Sequence, residues 1–367
     1  MRIVLTCDAV GGVWQYSVDL ARALGADGID VVLAVMGPSP SRDQRLEANS
    51  IAHARLVETG LPLDWLCDGP GAVLAAGARI AELADDIRAD LLQLNMPTLG
   101  AAALPRIPVV AVTHGCVSTW WQAARPHDSL DPGFRWHRAL MGEGLRAADR
   151  VVAPTAAYAR VVAHHYGLRS CPQVVHNGRA PLGPVWHPAA HDSVLTVGRL
   201  WDPVKGAALL DRVAARLAVP FHAAGAIEGP HGERVECANL HLLGQLDRAG
   251  LAAQLAQRPV FVSAARFEPF GLAVLEAAAA GCALVLADTP GFRELWGGVA
   301  QFVPPDDEDG FVAAIEAVIG DLPARAAMGE AARARAERYR PEATASAMRT
   351  VYADALSACP RRGSKAA

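Results

Sequence analysis

Residues 261–282 read FVSAARFEPFGLAVLEAAAAGC, and this stretch sets the fold. An apolar run ends at Ser263. A short polar turn follows through Arg266, Glu268, Pro269 and Gly271, and an Ala/Leu/Val-rich segment then runs to Gly281. The order is strand, loop, helix, glycine stop. Pro269 suits the turn or the first helical position, and Gly281 suits the position just past a helix C-terminus. Two carboxylates bracket the helix start with seven residues between them, Glu268 in the loop and Glu276 in the helix. Glu276 stands among apolar neighbours, where a carboxylate buried alone is costly. It needs a partner, either a ligand or an arginine from a neighbouring element.

The same grammar recurs along the chain. Residues 3–7 form an apolar run, Gly11-Gly12 follow, residues 14–24 carry helical periodicity, and residues 29–35 form a second apolar run. Strand, glycine loop, helix, strand is a βαβ unit, which calls for a parallel sheet. The glycine pair either brings backbone N–H groups close to an anion at the helix N-terminus or makes a plain tight turn. The G-x-G-x-x-G fingerprint is absent, which disfavours a dinucleotide-dependent hydride-transfer enzyme. Residues 91–94, 109–112 and 151–153 read as strands, and 72–87 and 138–148 as helices. His114 directly follows a strand, at the edge where open α/β sheets bind ligands. Residues 117–137, with Trp120, Trp121 and Trp136, read as a long aromatic loop, serving either loop packing or an acceptor wall. Residues 179–191, rich in Pro, Gly and Ala, read as a linker. Beyond it the pattern restarts, with strands at 194–197, 221–224, 240–243 and 283–287 and helices that end with one at 341–356. The chain therefore reads as two doubly wound α/β halves, domains 1–183 and 190–340, with a basic, flexible tail at 359–367.

Composition narrows the function classes. With 52% apolar and 20% charged residues, 367 residues can bury two ordinary cores. A net charge of -4 offers no nucleic-acid surface. The seven cysteines are scattered, odd in number and without C-x-x-C, which points to a reducing cytoplasm rather than a disulfide framework. The opening MRIVLTCDAVGG reads as a buried strand rather than a signal peptide. No run reaches the length of about 20 apolar residues that a membrane span needs, so membrane contact could only be peripheral. His164-His165 and Asp306-Asp307 belong to no recognised ligand set, so no metal site is expected.

Three constellations could carry chemistry. Arg199 and Lys205 flank a strand–helix loop, where two cations suit a departing diphosphate; solvated surface charge is the alternative. Glu268 and Glu276 could be a glycosidase acid/base pair, or each could accept from vicinal hydroxyls. His114 is either structural or a ligand contact.

Together these residues resemble the retaining glycosyltransferases of family 4. Glu268-Pro269-Phe270-Gly271-Leu272 through Glu276 is similar to that family's E-x7-E motif. GRLWDPVKG, with Arg199 and Lys205, is similar to its Arg/Lys pair, and Gly11-Gly12 to its N-terminal glycine loop. His176-Asn177-Gly178 and the loop from Asp288 to Glu294 also resemble family elements. The resemblance implies a GT-B fold: two Rossmann-like domains facing a central cleft, with a helix at about 341–358 crossing back to the first. It implies a C-terminal domain that binds a nucleotide-diphosphate sugar. In that reading Arg199 and Lys205 hold the diphosphate, Glu276 the ribose and Glu268 the donor sugar. The backbone of Phe270, Gly271 and Leu272 lies near sugar and phosphate, and Leu246 lies by the base. Gly11 and Gly12 sit by the phosphates, and His114 touches the sugar. The acceptor is a sugar, a lipid-linked molecule or a small molecule, with Trp120 and Trp121 as its candidate wall. The transfer implied is metal-independent, with retention at the anomeric carbon. The alternatives are a sugar-nucleotide 2-epimerase of the same fold, for which no carboxylate/His set is evident, and a non-catalytic nucleotide-sugar binder.

Overall fold

The structure is a computed structural model describing residues 1–183, 190–230 and 232–358. It divides into two compact units: residues 1–178 with the segment from Arg340 onward, and residues 179–339.

The first unit contains β1 (Arg2–Asp8), α1 (Gly12–Ala26), β2 (Asp30–Met36), α2 (Arg42–Asn49), β3 (Ala54–Glu58), α3 (Pro70–Asp86), β4 (Leu91–Leu94), β5 (Val109–Val112), α4 (Val117–Ala124), α5 (Arg135–Ala147), β6 (Arg150–Ala153), α6 (Ala156–Tyr166) and β7 (Gln173–Val174). All its strands are parallel, in the order β3-β2-β1-β4-β5-β6-β7. Ile3 and Leu5 of β1 pack with Trp14 and Val18 of α1, while Val4 packs on the opposite face with Val73 and Ile80 of α3. Both faces are covered, which is why these strands read as unbroken apolar runs.

The second unit contains β8 (Val194–Val197), α7 (Ala207–Ala214), β9 (Phe221–Ala224), β10 (His241–Gly244), α8 (Arg248–Ala256), β11 (Val260–Ser263), α9 (Leu272–Ala279), β12 (Leu284–Ala287), α10 (Pro290–Trp296), β13 (Gln301–Val303), α11 (Glu308–Gly320) and α12 (Leu322–Ala336). Its sheet is also parallel, in the order β10-β9-β8-β11-β12-β13. In each sheet the order reverses once, between β1 and β4 and between β8 and β11. Ligands bind outside the carboxyl ends of strands at such switch points. The last helix, α13 (Pro341–Ala358), belongs to the first unit. Its Met348, Val351 and Tyr352 join the core beneath α1.

Three expectations change. Residues 117–137 are not a loop: they hold α4, a 3-10 turn at Pro132–Phe134 and the start of α5. The sequence VSTWWQAA of α4 is β-branched and aromatic at its start, a poor local helix signal, and tertiary contacts decide it. Ser118 and Thr119 are buried, and Thr119 Oγ1 lies 3.2 Å from the Tyr158 hydroxyl. The boundary falls at Gly178/Arg179 rather than after 183, and at Tyr339/Arg340. Arg179 N donates to Tyr339 O at 3.1 Å, which ties the start of the expected linker to the second unit. Linker residues 184–189 and the tail 359–367 lie outside the described residues. Among the described residues, no helix is long and apolar enough to cross a membrane.

Candidate active site

In the second unit the loops that follow β8 and β11 lie side by side. Arg266 N, in the loop after β11, donates to Val204 O, in the loop after β8, at 2.8 Å. Lys205 Nζ donates to Glu268 Oε2 at 2.6 Å, and both side chains are largely sheltered. Val197, Gly198, Lys205, Glu268 and Gly271 line one crevice at the switch point. Arg199 is 54% exposed, pairs with the buried Asp202 at 2.9 Å and stacks 5.5 Å from the Trp201 ring. Asp202 also accepts from Val204 N at 3.3 Å, so one carboxylate shapes the turn that carries both cations.

The two helices leaving these loops differ from the other helices of the unit. α8, α10, α11 and α12 are each capped by an Asp or Thr side chain that accepts a backbone N–H. α7 and α9 instead start at Gly206 and Gly271, with no side-chain cap. Both glycines are left-handed, with φ of 74° and 92°, a conformation costly for residues with a Cβ. A helix N-terminus without a side-chain cap keeps N–H donors and a positive dipole end available to an anion.

The structure also supplies the partner that Glu276 requires. Arg179 Nε donates to Glu276 Oε1 at 2.6 Å, with side chains 5% and 10% exposed. The arginine alternative is therefore realised, from a residue read as linker. The Phe270 ring is core, 5.8 Å from Tyr339 and edge-on, leaving its backbone for any ligand role. Arg266 pairs with Asp306. Leu246, half-buried, follows the edge strand β10, two strands from the switch point.

In the first unit, Gly11 and Gly12 open α1 beyond the end of β1. The N–H groups of Val10 and Gly11 donate to Asp8 Oδ1 at 2.8 and 3.2 Å, so the loop is braced by its own carboxylate. A side chain on Gly11 would enter open space, so packing within the unit does not demand glycine there. His114 follows β5, and its Nε2 lies 3.2 Å from Asn95 Oδ1. That oxygen also accepts from Gln93 Nε2 at 2.9 Å, and Gln93 Oε1 accepts from the Tyr352 hydroxyl of α13. Burial pushes the His114 imidazole down to about 4. It is thus neutral at pH 7, and an acceptor at Nε2 fixes the proton there and leaves Nδ1 as an acceptor. Tyr16 stands edge-on against the ring at 4.5 Å. Sequence reasoning missed Gln93, Asn95 and Tyr352. The one signal was a glutamine inside the apolar strand LLQL. Trp120 and Trp121 sit on α4, their rings 6.4 Å apart.

Two parallel Rossmann-like units, the first completed by the last helix, define the GT-B class of glycosyltransferases. The Glycosyltransferase Family 4 model matches residues 10–180, and the Glycosyl transferases group 1 model matches residues 191–321. The phosphatidyl-myo-inositol mannosyltransferase of Mycolicibacterium smegmatis is 27% identical, covering 92% of this chain and 90% of its own. Sucrose-phosphate synthase from Thermosynechococcus elongatus superposes with a TM-score of 0.76 at 17% identity, covering 98% of this chain and 100% of its own. Anabaena HepE, solved with UDP-glucose, gives 0.71 at 21% identity, covering 98% and 100%. The chain belongs to glycosyltransferase family 4 and is a glycosyltransferase.

Proposed function

We propose that the protein transfers a sugar from a nucleoside-diphosphate donor to a hydroxyl acceptor, with retention and without a metal. The observation that carries this reading is the pair of glycine-started helices, α7 and α9, flanking Lys205 and Glu268 at the second sheet's switch point. Fixed N–H donors and a lysine at one place suit a diphosphate whose charge grows as it leaves. In the reaction the bond from the anomeric carbon to the phosphate oxygen breaks, and its electron pair stays on the diphosphate. The acceptor oxygen bonds to the same face of that carbon, and the acceptor proton passes to the leaving phosphate oxygen. Lys205, Arg199 and the helix N-termini balance the developing charge in place of a cation. Glu268 holds Lys205 in position, and on donor binding it turns to the sugar hydroxyls. Glu276, oriented by Arg179, accepts from the ribose, with Leu246 by the base. Gly11 and Gly12 approach the phosphates. His114 accepts from a sugar hydroxyl through Nδ1, and Trp120 and Trp121 form the acceptor wall. The scattered free thiols, Cys7 and Cys282 among them, suit work in the cytoplasm.

Lys205→Ala tests this reading directly. Turnover should fall about 100-fold or more, the scale set by removal of one preorganised donor. Because the change also strands Glu268, Lys205→Met with Glu268→Gln should be no more active; recovery in that double variant would assign the loss to Glu268 instead. Proton NMR of the product reports retention or inversion. Activity that survives exhaustive chelation supports the metal-free route, and its loss rejects it.

A further inference from the structure

The first unit holds a cavity of about 250 Å³ lined by α4, residues 125–130, α5 and α6. Arg125, Arg138, His164 and His165 converge on it, against one carboxylate, Asp128. Neither arginine has an ion-pair partner among the described residues; Arg125 instead lies 4.6 Å over the Trp121 ring. Isolated exposed arginines would be unremarkable. Here a second observation accompanies them. Trp121 Nε1 and His165 Nε2, both on residues lining the cavity, are buried without a hydrogen-bond partner. An indole N–H can only donate, and a buried donor left unmatched costs about 1–3 kcal/mol. Such a group calls for an acceptor. His165 is pushed below its ordinary value by burial first, then by the positive charge of Arg138 and by His164. The local field is therefore positive.

We infer that this cavity binds a phosphate group carried by a small molecule, with Arg125, Arg138 and Trp121 Nε1 as donors. The donors come from two elements, Trp121 and Arg125 at the C-terminal end of α4 and Arg138 on α5, and so approach from more than one direction. That spread fits the separate oxygens of a tetrahedral phosphate better than the single fork of a carboxylate. The volume is many times the roughly 10–15 Å³ that one water needs on the same measure, which leaves room for the carrier. An oxyanion draws Arg125 off the indole, opening the Trp121 N–H to it. The inference shares Trp121 with the acceptor wall but stands on the cavity alone.

Calorimetric titration with glycerol 3-phosphate and with inorganic phosphate, at fixed ionic strength, tests it. The protein should carry Arg199→Ala and Lys205→Ala, so that the other cationic loop cannot report and no donor or acceptor is needed. Glycerol 3-phosphate should bind at least threefold tighter than inorganic phosphate. Adding Arg138→Gln or Arg125→Gln should weaken it at least tenfold, and Trp121→Phe, which keeps an aromatic ring and removes the N–H, at least threefold. Both arginines are exposed, so an unchanged melting curve is expected for those variants. Absence of binding at millimolar ligand, or binding indifferent to Arg138→Gln and Trp121→Phe, overturns the site. Equal affinity for the two ligands overturns the carrier.

Discussion

Two glycines of the candidate site do opposite things. Gly271 has φ of 92°, and a Cβ added there would press on Phe292 and Glu268, so Gly271→Ala should cost about 1–2 kcal/mol of stability. Gly11 has open space where a side chain would go, so Gly11→Ala should shift stability by less than about 0.5 kcal/mol. The proposed role of Gly11 beside the donor phosphates predicts that turnover nonetheless drops in that variant. Urea unfolding and initial rates on the same two variants separate the cases. His114 supplies a pH prediction. Its folded value, about 4, lies below its ordinary 6.5. The unfolded chain therefore takes up the proton first as pH falls. The stability contributed by neutral His114 is complete above about pH 6.5 and is lost as pH drops through about 4. Between pH 6 and 8 an NMR titration should show folded His114 unmoved, yet the wild-type stability advantage over His114→Gln should begin to shrink once the pH falls below about 6.5, where the unfolded histidine takes up its proton. Glu276 was legible as a carboxylate in need of a partner. Arg179 was not, because a residue just after an Asn-Gly pair in a proline-rich segment carries no sign of which unit it joins.

At the scale of elements, Arg179 and Glu276 bind the entry of the second unit to α9. Removing one partner strands the other charge in a sheltered site, so Arg179→Ala should lose about 3–5 kcal/mol by denaturant unfolding. The central strands were readable because parallel strands covered on both faces are apolar throughout. β3 and β13 were not, since ARLVE and QFV are short edge strands with half-exposed residues. α4 was hidden for a different reason: its first turns are β-branched and aromatic, and the burial of Ser118 and Thr119, with the Thr119 hydroxyl against Tyr158, not local propensity, holds it. α7 and α9 were placed correctly as helices, but their lack of side-chain caps stands out only beside the Asp- and Thr-capped helices of the same sheet.

At the scale of the whole molecule, a nucleotide sugar should stabilise the protein by about 2.7 kcal/mol at 100 times its Kd. A thermal-shift screen of donors on wild type and Lys205→Ala should show the shift in the first and its loss in the second; equal shifts would place the nucleotide elsewhere. Periodicity alone announced a last helix at 341–356, and only the family resemblance said which unit it would join. The structure makes that helix part of the first unit's core, through Met348, Val351 and Tyr352. Synthesis imposes an order on this arrangement. Once Gly178 is made, α13 still lies a whole second unit ahead, roughly 10–30 s of translation at about 5–20 residues per second. The second unit is contiguous and can finish while the first waits with one face of its sheet partly uncovered. The Tyr352 hydroxyl that reaches Gln93, and through Asn95 sets the proton on His114, arrives last of all. A nascent chain therefore cannot assemble this histidine before α13 has been made.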